Sequence, residues 1–198
     1  MTTITALFVD TKRGPYPHMS GVDCWDEARD ARLYTGPHPV VAHPPCARWC
    51  RLAKQIESRG LGRVGDDGGC FEAALRAVRT WGGVLEHPAH SLAWDWFGLP
   101  KPRRGGWFGD EKGGWVCEVD QGHYGHKMRK PTWLYVFNAR YLPALVWERA
   151  ESTWVMSSAS RARTAGKVGA REVKRTERHT TPAPFAELVV AIARSSAR

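Results

Sequence analysis

Three short apolar runs, each stopped abruptly by polar or proline-containing residues, constrain this chain more than any other feature. Ala6-Leu7-Phe8-Val9 ends in Asp10, Pro39-Val40-Val41-Ala42 runs into His43-Pro44-Pro45-Cys46, and Val84-Leu85 leads to Glu86-His87-Pro88. Runs this short and this apolar fit buried strands. Pro44 and Pro45 lack amide donors and cannot continue a central ladder, so Cys46 is expected beyond a strand's end. Between the second and third runs, residues 48–58 suit a helix and residues 60–69 form a glycine-rich loop. Phe71, Ala74, Leu75 and Val78 then recur at helical spacing, with Asp66 and Asp67 placed to cap that helix and Trp81-Gly82-Gly83 to end it. Strands alternating with helices predict an α/β fold with a mostly parallel sheet flanked by helices. Ligands of such sheets bind outside the carboxyl ends of the strands.

The second half reads differently. Residues 94–115 are rich in Trp, Gly and basic side chains and suggest an exposed loop or lid. Residues 115–119 and 132–137 read as two strands bracketing 121–130, a terminal hairpin on the sheet. We therefore divide the chain into an α/β catalytic-like unit over 1–150, a basic connector or DNA-contacting arm over 151–181, and a C-terminal helix over 182–198 that packs back on the core. In that helix Phe185, Leu188, Val189 and Ile192 form the apolar stripe. A length of 198 residues suits one domain.

Charge narrows the partner. The chain has 29 Lys or Arg against 20 Asp or Glu, a formal net charge of +9. The 151–181 segment alone carries seven basic residues and three Glu, a net +4. Nucleic acid is the leading partner for such an excess. No run of eighteen apolar residues exists, and the first residues lack the basic and long apolar regions of a signal peptide, so a cytoplasmic protein without membrane contact is expected. Five cysteines, an odd number, suit reduced thiols in that compartment. The ten Trp serve either a core or a surface that stacks on bases, with the core favoured for most of them.

The three strand-end clusters fall at regular intervals, 40 residues from Cys46 to Glu86 and 43 from Glu86 to Arg129. In this order they resemble the catalytic half of the DNA cytosine carbon-5 methyltransferases, over residues 36–137 and the final helix. The family's strand into Pro-Cys is matched by Val40 to Cys46, its helix-opening Asp-x-x-Gly-x-x-Phe by Asp66 to Phe71 with a slip of one position, its Glu-Asn-Val by Glu86-His87-Pro88, and its Tyr-Gly loop with arginines by Tyr124-Gly125 and Arg129-Lys130. The resemblance implies a truncated Rossmann-like fold and an enzyme that modifies a pyrimidine in duplex DNA after flipping it out of the stack. Its small size suits a viral or mobile-element protein.

By that resemblance Cys46 is the nucleophile that adds to carbon 6, Glu86 protonates or hydrogen-bonds N3, and Arg129 holds the base carbonyl or lowers the thiol pKa, with Lys130 as the second choice. Pro45, His87, Thr132 and Tyr124 are the further substrate-binding candidates. S-adenosylmethionine is the implied cofactor, with Asp10, Asp23 and Asp26 as its candidate carboxylates and no metal expected. The family's Phe-x-Gly-x-Gly cradle is replaced here by Phe8 to Tyr16 with one glycine, only 38 residues separate Phe8 from Cys46, and Thr132 stands where a second arginine is expected. Two alternatives therefore stay open: pyrimidine modification on the same fold without that cofactor, and a DNA-binding protein without catalysis. His43, Cys46 and Cys50 are the first suspects for a zinc reading, which lacks any paired Cys-x-x-Cys. Cys46 also reads as a small residue in a tight turn, and Glu86 as an ordinary cap or ion-pair partner.

Overall fold

The computed structural model describes residues 2–155 and 171–196. Seven strands form one sheet in the order β2-β1-β3-β4-β7-β6-β5: β1 Ile4–Leu7, β2 Val22–Trp25, β3 Val40–Ala42, β4 Gly83–Pro88, β5 Phe108–Gly109, β6 Gly114–Asp120 and β7 Pro131–Phe137. The β2–β1, β1–β3 and β3–β4 pairs are parallel, whereas β4–β7, β7–β6 and β6–β5 are antiparallel. The sheet is thus mixed and not mostly parallel. The expected hairpin forms, with Gly114 opposite Phe137 and Asp120 opposite Pro131, but it joins the sheet through β7.

Period-two alternation assigns the two faces. Leu7, Val40, Ala42 and Leu85 face one core with Phe71, Ala74, Leu75 and Val78 of helix α2, Cys70–Trp81. Ile4, Ala6, Val41, Val84, Leu134 and Val136 face the other, covered by Phe185, Val189 and Ile192 of the C-terminal helix Ala183–Arg194. Both helices fall where the spacing of apolar residues placed them. Asp67 fixes the start of α2 by accepting from Gly69 N and Phe71 N, and the same carboxylate accepts from Trp49 Nε1 at 2.8 Å. Gly82, at φ 80°, ends α2 in a conformation that disfavours a side chain.

Several boundaries differ from expectation for physical reasons. The first strand closes at Leu7 because Phe8 turns into the left-handed region at φ 60°. Residues 47–52 make turns, and only α1, Ala53–Ser58, is helical in the stretch assigned to a longer helix. The 94–115 segment is no simple loop: it overlaps a short helix α3, Leu92–Trp96, whose Trp94 is fully buried, and carries β5. Trp49, Trp94 and Trp133 are core residues, while Trp96 is 65% exposed. The central part of the expected basic arm, 156–170, lies outside the described residues. Its described ends pair Trp154–Val155 with Arg171–Glu172 and continue into a helical turn, Arg175–Arg178. All five cysteines are free. Among the described residues no helix is long and apolar enough to cross a membrane.

The closest approach in the sheet lies at Gly83, where an added Cβ would stand 1.9 Å from Val40 O on a backbone of φ +124°. Gly83→Ala is expected to destabilise the protein by about 2–4 kcal/mol, read from the urea midpoint, because strand backbones and not flexible side chains must give way.

Candidate functional site

The strand order reverses between β1 and β3: the chain leaves β1 for β2 on one side and returns to β3 on the other. Such a switch point opens a crevice at the carboxyl edge of the parallel strands. His43 N donates to Leu7 O there, so the segments leaving β1 and β3 lie side by side.

Alternation then selects what faces the crevice. In β3 Val41 points to the C-terminal helix and Ala42 to α2, so His43 returns to Val41's face. In β4 the same rule puts Glu86 on Val84's face and His87 on Leu85's. His43 Nδ1 lies 2.9 Å from Glu86 Oε2, and Tyr16 Oη lies 2.5 Å from His43 Nε2. Gln121 Nε2 donates to Glu86 Oε1 and to Thr132 Oγ1, each at 3.0 Å, and Thr132 Oγ1 donates to Lys130 O. Both oxygens of a buried carboxylate are therefore engaged. Burial alone would raise the Glu86 carboxyl; the hydrogen bond and charge of His43, joined by the charge of Lys130, outweigh it and hold the group at about 2.

Cys46 opens the turn after Pro45, with Trp49 N and Cys50 N both donating to its carbonyl. Trp49 anchors that turn, its ring buried against Phe71 and Phe97 and its Nε1 on Asp67. Burial pushes the Cys46 thiol up, the negative charge of Glu86 adds to this, and Lys130 pulls the other way. At neutral pH Cys46 is a thiol. Burial lowers Lys130, whose charge is favoured by Glu86 and Cys46, and its Nζ donates to Thr180 O at 2.9 Å.

The structure thus brings Cys46, Glu86, Lys130 and Thr132 together, with exposed Pro45 at the rim. Other assignments need correction. Arg129 does not join Glu86: its Nε pairs with fully buried Asp120 at 3.4 Å, and Lys130 is the cation at the site. His87 faces the opposite side of the sheet, against Phe71 and Trp94. Tyr124 packs on Phe185, and its hydroxyl accepts from Val146 N. Tyr16 and Gln121 are functional candidates that the sequence reading missed, and His43 entered it only as a metal suspect. For His43, alternation past Ala42 would have supplied the signal; for Tyr16, in a 3-10 turn between prolines and a bend, no local pattern does.

A second concavity adjoins the switch point. Asp10 and Asp26 line a cleft of about 490 Å³ together with Val9, Thr11, Lys12, Glu27 and Ala28, a size suited to a nucleoside. Asp10 accepts from Lys12 N and Arg13 N, bonds that lower its carboxyl, and Asp26 accepts from Thr11 Oγ1 at 2.6 Å. Asp23 is not in this lining; it pairs with Arg29 and accepts from Trp25 Nε1. The larger groove of about 780 Å³ lies outside the site, beside Glu57, Arg63, Asp66 and Trp96. Among the described residues no three His, Cys, Asp or Glu side chains are grouped as a metal would need. Set against known protein families, characterised proteins and solved structures, the chain matches none.

Buried His87 gives a stability signature. Burial pulls its imidazole down to about 4, against an ordinary 6.5; the carbonyls of Pro45 and Pro44 lie near it, yet neither ring nitrogen meets a partner in hydrogen-bond geometry. Because the unfolded chain takes up this proton first, stability falls as pH drops from about 6.5 towards 4. Between pH 7 and 4.5 the wild type should lose about 2–3 kcal/mol more than His87→Leu in urea titrations, a difference in which the Glu86 contribution common to both cancels.

Proposed function

We propose that this protein is a DNA pyrimidine-modifying enzyme that acts through Cys46 on a flipped base, similar in plan to the cytosine carbon-5 methyltransferases. The observation that carries the reading is that Cys46, Glu86 and Lys130, from three separate segments, lie near enough for each to act on the charge of the others, at the edge of the sheet that also holds the switch point and a nucleoside-sized cleft. A thiol, a carboxylate and a cation are the groups that addition to carbon 6 of a pyrimidine requires. The strand order around β1 and the antiparallel β7 suit a shortened Rossmann-like methyltransferase sheet.

In this reading the Cys46 sulfur bonds to carbon 6 while N3 takes a proton or hydrogen bond from the Glu86 side, which makes carbon 5 nucleophilic. After group transfer the carbon 5 proton passes to a solvent base and the sulfur–carbon bond breaks, restoring the ring and the thiolate. Lys130 stabilises the thiolate that burial disfavours, and the thiol proton passes to solvent as the base binds. The cleft at Asp10 and Asp26 fits S-adenosylmethionine in volume and in its carboxylates, which suit sugar hydroxyls; when bound, that cofactor supplies the methyl group. Trp96, exposed beside Arg63 in the groove outside the site, offers a face for a base next to the flipped one, and the basic excess serves the phosphates in the cytoplasm.

A duplex containing 5-fluorocytosine, incubated with the protein and S-adenosylmethionine, is expected to yield a covalent complex lost in Cys46→Ala and slowed at least about tenfold in Lys130→Met. No adduct and no heat of cofactor binding would overturn the reading. Adduct without cofactor binding would assign the same chemistry to another donor. DNA binding that persists in Cys46→Ala, with no modified nucleoside by mass spectrometry, would leave a DNA-binding protein without catalysis.

A further inference from the structure

The Glu86 carboxylate raises a chemical difficulty that the rest of the site answers. Held low by its neighbours, it is ionised at neutral pH and has no proton to offer a ring nitrogen. Its Oε2, however, is hydrogen-bonded to His43 Nδ1, and the far side of the same imidazole meets Tyr16 Oη. The three groups come from β4, the segment leaving β3, and the 3-10 turn at Tyr16–His18. Tyr16 is 2% exposed, and the side chains of His43 and Glu86 are 12% and 8% exposed.

We propose that His43 is the proton store of this site: it supplies, and afterwards recovers, the proton that Glu86 delivers to a bound heterocycle, while Tyr16 holds the imidazole in line. The proposal rests on the reading that Glu86 faces the pyrimidine. A phenol both donates and accepts, so its oxygen can meet Nε2 whether or not that nitrogen carries a proton. Neutral His43 with Nδ1–H directed at the carboxylate accepts Tyr16 O–H at Nε2. The imidazolium donates from both nitrogens, to Glu86 and to the Tyr16 oxygen. After transfer, Nδ1 accepts from the protonated carboxyl while Nε2–H still donates to Tyr16.

The protons balance, and the one strained state is brief: after delivery the bare Nδ1 of His43 faces the Glu86 carboxylate until the proton of base N3 is recovered. In the first step the Nδ1–H bond breaks and an O–H bond forms on Glu86, so the ion pair becomes a neutral pair. In the second the O–H bond breaks and an N–H bond forms on the bound base, returning Glu86 to its carboxylate. When base N3 loses its proton at the end of the cycle, the same path runs backwards to His43. Burial keeps the Tyr16 proton in place, raising its phenol well above the ordinary range, so Tyr16 orients and does not ionise. The other titratable groups whose charge acts on this couple are Lys130 from the segment before β7, His87 in β4, Cys46 after Pro45 and, at Tyr16, Cys24 of β2. His87 presents no competing store, because its ring lies on the opposite face of the sheet.

Two measurements test this. Without any substrate, ring-15N histidine NMR of the whole protein should show both nitrogens of His43 with the shifts of a ring hydrogen-bonded on each side. In Tyr16→Phe the Nε2 resonance should move to that of a nitrogen without its partner. His43 resonances unmoved by Tyr16→Phe would overturn the proposal. With the 5-fluorocytosine duplex, adduct formation should slow roughly 100-fold in His43→Gln and lose the pH dependence seen in the wild type. Duplex affinity, read by anisotropy, should stay within about threefold. An unchanged rate and pH profile in His43→Gln would overturn the store while leaving the pyrimidine reading intact. No adduct with the wild type would overturn the pyrimidine reading instead, and the NMR comparison, which needs no substrate, still decides whether the couple exists.

Discussion

A carboxylate as buried as Glu86 is tolerable only where its charge is met from several directions at once, since an unpaired ion in that setting costs several kcal/mol. Much of the surrounding architecture follows from meeting it. His43 must leave β3 on the correct face, Gln121 must sit at the end of β6, and Lys130 must precede β7. These three ties join the parallel half of the sheet to the antiparallel half. Thr132 extends the same network by accepting from Gln121, and Lys130 carries it to the backbone at Thr180. The candidate site is therefore also a structural joint.

Two histidines show how environment divides similar residues. His43 and His87 both follow short apolar runs, and neither is well exposed. His43 is held between two oxygen groups that suit either of its protonation states. His87 lies between aromatic rings with no hydrogen-bond partner, which keeps it neutral and makes it a liability in acid. The distinction comes from strand alternation: each ring takes the face its position dictates.

The same alternation explains what the sequence disclosed. The helix beginning at Cys70 and the one docking through Phe185 were legible because long apolar stripes outweigh local ambiguity. The strand carrying Glu86 was recognised only in part, because its last three residues pair with β7 alone, and non-local pairing leaves little trace in a local pattern. The order of Cys46, Glu86 and the Arg129–Lys130 pair along the chain was readable; their approach to one sheet edge was expected from a parallel sheet, whereas Lys130 lies ahead of the antiparallel β7. Which of two adjacent basic residues turns inward was not: Asp120, buried and accepting from Lys130 N, Gly122 N and Arg129 Nε, makes that choice. Tyr16 lay beyond reach because its role depends on a hydroxyl meeting a ring 27 positions away.

The two faces of β4 carry one further consequence. Glu86 and His87 are neighbours in the chain but belong to different chemical environments, one wet enough in partners to hold a charge and one that rejects it. Moving the strand by a single residue would drop an imidazole among carboxylate ligands and force a carboxylate between Phe71 and Trp94. Both sides of the error are penalised, so wrong alignments are rejected during folding by electrostatics as well as by packing. Gly83, wedged against the Val40 backbone at the start of the same strand, blocks the slip from the other end. The site thereby proofreads the sheet that builds it.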